Sequence, residues 1–486
     1  MALTYYSTNS TDKTQKITFK EALLKGLAPD YGLYMMAKED LPKFSQEELL
    51  DMKDKTYSDI AYTVLSKFLI PEISESKLKE LLDDAYAIEK IPTDVENVVE
   101  NTNIMWLTKG PTYSFKDYAA RFFGRTLNYF LKQDKLLRVV IVATSGDTGG
   151  AVADALAGLD SVSNIVFFPK GSVSEGQRRQ MTTLKDNIHA FEVEGDFDVC
   201  QALAKTLLND IDFAKEVFDD EKRFTSANSI SLGRLLPQSV YPFYAYSKIS
   251  NETFPSFIAS IPSGNFGDMM GTVLAKEMGL PVEKIVCGVN ENTEFPDYLK
   301  TGEYKVYPSV KSPSSAMIVS HPSNLARLID FYGGHMFDKR DPATNKVTQS
   351  GVIDKAPNLE KMREDLFSIS IDNATHFTTI KEVYDKFNVI LDPHGAVGWK
   401  ALELFTNSDY SKLSIIYETA DPGKFPLDVE KAIGVVPNVP PRMQEQITLE
   451  ERIYSIKSLP LNTKNGLKLS DEQVNEAKEK IKQIFR

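Results

Sequence analysis

Apolar residues recur at three-to-four spacing through FKEALLKGL, ELLDMKDKTYSDIAYTVLSKFL and ESKLKELLDDAYAI, so the chain from Thr18 to about Ile88 is predicted to be mostly helical. The following IPTDVENVVENTNIMWLTKGP lacks that period and reads as extended chain, with a new unit expected to begin near Ile91. From there to about Val436 short apolar runs are followed by glycine-rich loops and then amphipathic stretches. RVVIVATSGDTGGAVADALAGL and SFIASIPSGNFGDMMGTVLAKEMGL are the clearest, and NIVFFP, HAFEVEG, KIVCGV and SIIYETADP add further strand candidates. Strands alternating with helices predict parallel βαβ units, hence a doubly wound α/β architecture with mostly parallel sheets. VVPNVPPRM marks a hinge, and the segment from TLEERIYS to KIKQIF reads as a helical appendix. The expected division is a mainly helical region 1–90, an α/β region 91–436 and a C-terminal extension 437–486.

Composition narrows the function. At 486 residues the chain exceeds one ordinary core. Its 56 basic against 68 acidic side chains give a net charge of −12, which argues against nucleic acid or an anionic membrane as main partner. Two cysteines, Cys200 and Cys287, make no disulfide framework and no CxxC, so a reduced, cytoplasmic setting is expected. The opening MALTYYSTNSTDKTQK lacks the apolar run of a signal peptide, and no stretch approaches the roughly 20 apolar residues of a membrane span.

In open α/β sheets ligands lie beyond the carboxyl ends of the strands, so the loops are where chemistry is sought. In PSGNFGDMMG a strand ends at Ile261, Gly264 and Gly267 permit tight turning, and a helix begins near Asp268. Backbone N–H groups and a helix dipole thus surround one point, as a phosphate requires. A plain β-to-α turn capped by Asp268 fits the same residues. TSGDTGG repeats the design with the Ser145 and Thr148 hydroxyls added and Asp147 as possible cap. Two cradles suggest two anionic groups, such as a cofactor phosphate and a substrate carboxylate. Neither is a P-loop or a GxGxxG fingerprint. The five histidines include no HExxH, which argues against a zinc hydrolase, and no metal site is expected. A GxSxG elbow is absent as well. There remains an amine: Lys116, in TKGPTYSFKD, is either a solvated surface charge or a nucleophile able to form a Schiff base with a carbonyl such as pyridoxal 5'-phosphate.

GPTYSFKDYAARFFG closely resembles the Schiff-base lysine segment of the threonine synthases, within the pyridoxal phosphate enzymes named for the β subunit of tryptophan synthase (fold type II). Further segments similar to that family follow in order: ATSGDTGGAVA, QMTTL, EVEGDFDVCQAL, NSISLGRLLPQ, IPSGNFGDMMGTVLAKEMGLP, PSNLARL, LDPHGAVGWKAL and ETADPGKFP, with ITFKEALLKGLAPDYGLYMMAKEDLPKFS ahead of them. The resemblance spans about 15 to 435. It implies that 91–436 is a pyridoxal phosphate-binding catalytic region of two lobes with the cofactor between them, a smaller lobe at roughly 130–220 being inserted in the larger. Lys116 would carry the Schiff base, while Gly264, Asn265, Phe266 and Gly267 wrap the cofactor phosphate and Asp268 closes that loop. Thr419 would face the pyridine nitrogen, and Ser145, Asp147 and Thr148 would receive the substrate carboxylate.

For the substrate phosphate the candidates are Asn228 and Arg234 of NSISLGR, with Ser174 beside them; arginine offers planar bidentate donors. The activity implied is conversion of O-phospho-L-homoserine and water to L-threonine and phosphate. A phospho-lyase or hydroxy amino acid dehydratase on the same scaffold is the nearest alternative, and a non-catalytic binding protein the more distant one. Three positions depart from the family pattern: Lys109 stands where histidine is frequent before GPT, Gly395 where DPH is often followed by Thr or Ser, and Asp421 where the family often has histidine. Oligomeric state is not legible.

Overall fold

The computed structural model describes residues 3–10, 13–228, 230–251, 255–342, 347–463 and 466–486. They group into two compact units, one of residues 1–23, 27–119 and 229–438, the other of 24–26, 120–228 and 439–486.

In the larger unit, capping boxes start two of the N-terminal helices: Ser45 with Glu48 for Gln46–Leu50, and Thr56 with Asp59 for Tyr57–Leu69. Helix Glu75–Tyr86 follows, turning Leu78, Leu81 and Leu82 inward. The main sheet has six strands in the order Leu366–Ser370, Val282–Val289, Phe257–Pro262, Ser414–Glu418, Thr102–Trp106 and Asp94–Val99. All neighbours are parallel except the last pair. Every residue of Phe257–Pro262 is buried, as expected of a central parallel strand covered on both faces. Ile104, Ile258, Val286 and Ile416 pack against Ala396, Trp399 and Leu402 of helix Pro393–Thr406.

In the smaller unit five strands, Ile453–Ile456, Ile188–Val193, Val162–Pro169, Arg138–Ala143 and Phe224–Ser226, form a parallel sheet in that order. The apolar runs singled out in the sequence are thus strands, and the architecture is α/β. The C-terminal segment is more than helical: besides Pro441–Thr448 and Asp471–Phe485 it contributes the edge strand Ile453–Ile456. Its Ala477 and Ile481 enter the same core as Val139, Ile165 and Phe191. Only four residues long, IYSI was too short a run to stand out between two helical patterns.

One close contact explains a departure noted above. Asp392 caps helix Pro393–Thr406 by accepting from the Gly395 N–H at 2.7 Å, and its own N–H donates to Glu418 Oε1 at 2.8 Å. The Glu418 carboxyl fills the space beside Gly395, so a Cβ at 395 would land on it. Serine at 395 is therefore expected to cost about 2 kcal/mol or more through overpacking. Comparing the thermal midpoints of Gly395→Ser and Gly395→Ser/Glu418→Ala checks this; the second change should recover most of the loss.

Burial first, then Asp392 and Asp421, push the Glu418 pKa well above the ordinary carboxylate value. The folded protein therefore holds this proton more tightly than the unfolded chain. The resulting stability is complete below the unfolded carboxyl pKa and is lost as pH rises through the folded one. Glu418→Gln, whose amide can donate to Asp392 at any pH, is expected to resist urea better than the parent at pH 8, with the advantage shrinking toward pH 4.

Candidate active site

The segment carrying Lys116 is held by its own acid. Gly110 leaves room for the Asp117 side chain, which folds back to accept from the Thr112 N–H at 2.8 Å and the Thr112 hydroxyl at 2.5 Å. This fixes the turn Gly110–Tyr113 and starts helix Lys116–Asp134 at the lysine itself. A second loop is pinned to it. Ser114 and Ala420 form an antiparallel bridge, the Phe115 N–H donates to the Thr419 carbonyl at 2.9 Å, and the Asp421 N–H donates to the Tyr113 carbonyl at 3.0 Å. The buried Lys424 amine adds a bond to the Thr112 carbonyl at 2.8 Å. GPTYSFKD and ETADPGKFP, some 300 residues apart by number, are therefore interlocked, and Lys116 is set beside Thr419. Lys116 is half-buried with its Nζ 4.7 Å from the Phe115 ring centroid, and Thr419 is 4 % exposed.

In the same unit, strand Phe257–Pro262 ends in Ser263–Phe266 and helix Gly267–Glu277 begins. Phe266 takes the left-handed conformation, φ 60°. The backbone N–H groups of Gly264, Asn265, Phe266 and Gly267 find no acceptor among the described residues, a set of aligned donors at a helix start suited to a phosphate. Close packing holds the loop: a Cβ at Gly264 would lie 2.9 Å from the Ala316 carbonyl oxygen, and one at Gly267 2.7 Å from the Gln238 amide nitrogen. Asp268 is buried and accepts from the Ser263 hydroxyl and the Met269 N–H, so it ties down the turn. Burial raises its pKa, opposed by those hydrogen bonds and by the Lys116 amine, whose field reaches it. The donors and their packing fit the phosphate of a pyridoxal cofactor, with Lys116 and Thr419 supplying an amine and a hydroxyl in the same unit.

The second cradle, in the smaller unit, differs. Thr144 Oγ1 accepts from the Gly146 and Gly149 N–H groups, both at 2.9 Å, so fewer amides remain for a ligand. Ser145 is exposed, Thr148 half-buried, and Asp147 buried with its Oδ1 accepting from Gln177 Nε2 at 3.0 Å. Gln177 also occupies the space a Cβ would need at Gly146, φ 145°. Ser174 caps helix Glu175–Thr182 in a capping box with Gln177. Half-buried Asn228 donates its N–H to Ser226 Oγ at 3.3 Å.

Arg234, in the larger unit, is 4 % exposed; burial pulls its pKa down to about 10 against the opposing fields of Tyr241 and Asp117. Two of the departures from the family pattern have surface or capping roles. Lys109 pairs with Asp94 at 2.5 Å, and Asp421 Oδ1 accepts from the Gly423 N–H at 2.8 Å. Gln238, Asn324 and Lys424 brace the site and were not singled out from sequence. For Gln238 a signal existed: Gly267 and Gly271, four apart on one helix face, call for a closely packed neighbour, and Gln238 is that neighbour.

Comparison with known proteins gives the family. Residues 4–86 match the family model "Threonine synthase N terminus", residues 106–415 "Pyridoxal-phosphate dependent enzyme" and residues 395–464 "Threonine synthase, C-terminal". The threonine synthase of Escherichia coli K12 is 32% identical over 446 residues, covering 91% of this chain and 94% of that one. The PLP-bound threonine synthase from Brucella melitensis superposes with a TM-score of 0.86 at 28% identity over 100% of both chains. The yeast threonine synthase gives 0.86 at 29% identity over 99% of this chain and 98% of that one. The chain belongs to the threonine synthases, a family of pyridoxal-phosphate-dependent lyases.

Proposed function

We propose that the chain converts O-phospho-L-homoserine and water to L-threonine and phosphate in the cytoplasm, with Lys116 as the covalent attachment point of the cofactor. The observation that supports this reading is the backbone zipper that ties the segment of Lys116 to the segment of Thr419, in the same unit as four N–H groups with no acceptor among the described residues. The cytoplasmic setting is supported by two buried, unbridged cysteines.

When bound, pyridoxal phosphate supplies an electron sink for charge developing at the substrate α-carbon. Gly264, Asn265, Phe266 and Gly267 hold its phosphate through their N–H groups, with Asp268 restraining the loop. The Thr419 hydroxyl would hold the ring nitrogen by a hydrogen bond, without imposing the full positive charge that a carboxylate would favour. With the cofactor bound, the free Lys116 amine would move protons one at a time: it would take one from Cα and release it before taking the next from Cβ. Phosphate leaves Cγ with the C–O bonding pair, and a proton returned from Lys116 completes the methyl group. Water would then add its oxygen at Cβ, its released proton going to the departed phosphate, and Cα would regain its proton.

In the smaller unit, Ser145 and Thr148 bind the substrate carboxylate, while Asp147 is restrained by Gln177. Ser174 and Asn228 are proposed contacts of the substrate phosphate; the cap leaves the Ser174 hydroxyl its own proton to donate. Arg234, in the larger unit, is the third, and an approaching dianion would offset the burial that lowers its pKa.

Incubation of the purified holoenzyme with O-phospho-L-homoserine is expected to release threonine and phosphate in equal amounts; 2-oxobutanoate in place of threonine overturns the assignment. Lys116→Ala is expected to lower kcat at least ~10³-fold, and full activity in that variant removes the proposed role. Thr419→Val, which keeps the shape and removes the hydroxyl, is expected to lower kcat about 10-fold or more, checked by steady-state rates at saturating cofactor.

A further inference from the structure

PSNLARL was singled out in the sequence without a role. It contains an arginine buried to 0 % exposure, Arg327, on the short helix Leu325–Phe331. Its Nε donates to the Tyr34 carbonyl at 3.0 Å, its Nη1 to Asn324 Oδ1 at 2.6 Å and its Nη2 to the Ile230 carbonyl at 2.7 Å. Each acceptor is neutral. Among the described residues no carboxylate lies within ion-pair distance of this guanidinium, and burial alone pulls its pKa down to about 9. Other buried arginines differ: Arg138 meets Asp220 at 3.2 Å, and Arg234 lies in the field of Asp117. A buried cation without a counter-charge is costly, and a fold that keeps one has a use for the charge.

The hydrogen bonds lead to that use. Asn324, which accepts from Arg327, donates its Nδ2 to the Asn265 carbonyl at 2.9 Å, and its backbone N–H reaches the same oxygen at 3.3 Å. The Ser323 hydroxyl donates to Asn265 Oδ1 at 3.2 Å. In a trans peptide the C=O and the following N–H point in opposite directions. Fixing the Asn265 carbonyl toward Asn324 therefore turns the Phe266 N–H the other way, and this is one of the four donors with no protein acceptor. Bonds running in series polarise one another, so the guanidinium charge is passed through the Asn324 amide to that peptide.

We propose that Arg327 is a positioning residue and the remote counter-charge for the phosphate held at Gly264–Gly267, acting through Asn324 and the Asn265–Phe266 peptide. This rests on the reading of that loop as the cofactor-phosphate site. The positive charge is stabilised once the anion is bound, and the anion meets an N–H group already oriented and polarised.

The test uses full-length apoprotein titrated separately with pyridoxal 5'-phosphate, with pyridoxal, which lacks the phosphate, and with inorganic phosphate as competitor. If the loop is the phosphate site, the parent prefers pyridoxal 5'-phosphate over pyridoxal, and Gly267→Val removes that preference; absence of a preference in the parent overturns the loop reading itself. Given the preference, Arg327→Met is expected to weaken pyridoxal 5'-phosphate about 10- to 100-fold while changing pyridoxal less than about 3-fold, and to weaken inorganic phosphate in parallel. Should Arg327→Met fail to fold, Asn324→Ala interrupts the same relay with the arginine in place and is expected to show the same selective loss. Equal weakening of pyridoxal and its phosphate by the folded variants, or no weakening of either, overturns the proposal.

Discussion

A backbone contact carries the site: the antiparallel bridge between Ser114 and Ala420, with the Phe115 N–H on the Thr419 carbonyl. Main-chain groups make it, and the Asp117 and Lys424 side chains reinforce it through Thr112. Two positions near these loops that depart from the family pattern leave the backbone contact intact. Lys109 turns out to Asp94, and Asp421 uses its carboxylate to cap a short turn while its N–H keeps the bond to Tyr113. What cannot vary independently is the pair behind the zipper, Gly395 and Glu418, since the carboxyl of one takes the volume the other leaves.

The two glycine-rich loops look alike as strings and differ as donors. After Ala143 the Thr144 hydroxyl takes up two of the loop amides, leaving a shallower set with exposed Ser145 at its tip. After Pro262 the side-chain closures are Asp268 on Ser263 and Met269 and the bonds of Ser323 and Asn324 to Asn265, and among the described residues four N–H groups stay without an acceptor. A fixed dianion suits the second, and a carboxylate held partly by hydroxyls suits the first.

Much of the fold was legible because parallel strands buried on both faces are written as unbroken apolar runs: RVVIVA, NIVFFP, FIASIP and SIIYE each became a strand. Lys116, the Gly264–Asp268 turn and Thr419 stood out because a motif resemblance marked them. The residues that brace them did not, for a physical reason. Gln238 and Asn324 act through contacts that join distant parts of the chain, and a glutamine packed on glycine leaves no local pattern. Ile453–Ile456 escaped notice because four residues carry too little periodicity to compete with helical neighbours.

The smaller unit draws its sheet from two separate stretches of chain, 120–228 and 439–486, and the strand Ile453–Ile456 pairs with Ile188–Val193 across more than two hundred intervening residues. Such a pairing closes a very long loop, and long-range strand pairing forms late in folding. During synthesis the Ile188–Val193 edge therefore waits with open hydrogen-bonding groups until the end of the chain is made. In that interval it is an open strand edge of the kind that can pair with a neighbouring molecule, and Ile453–Ile456 is the strand that covers it.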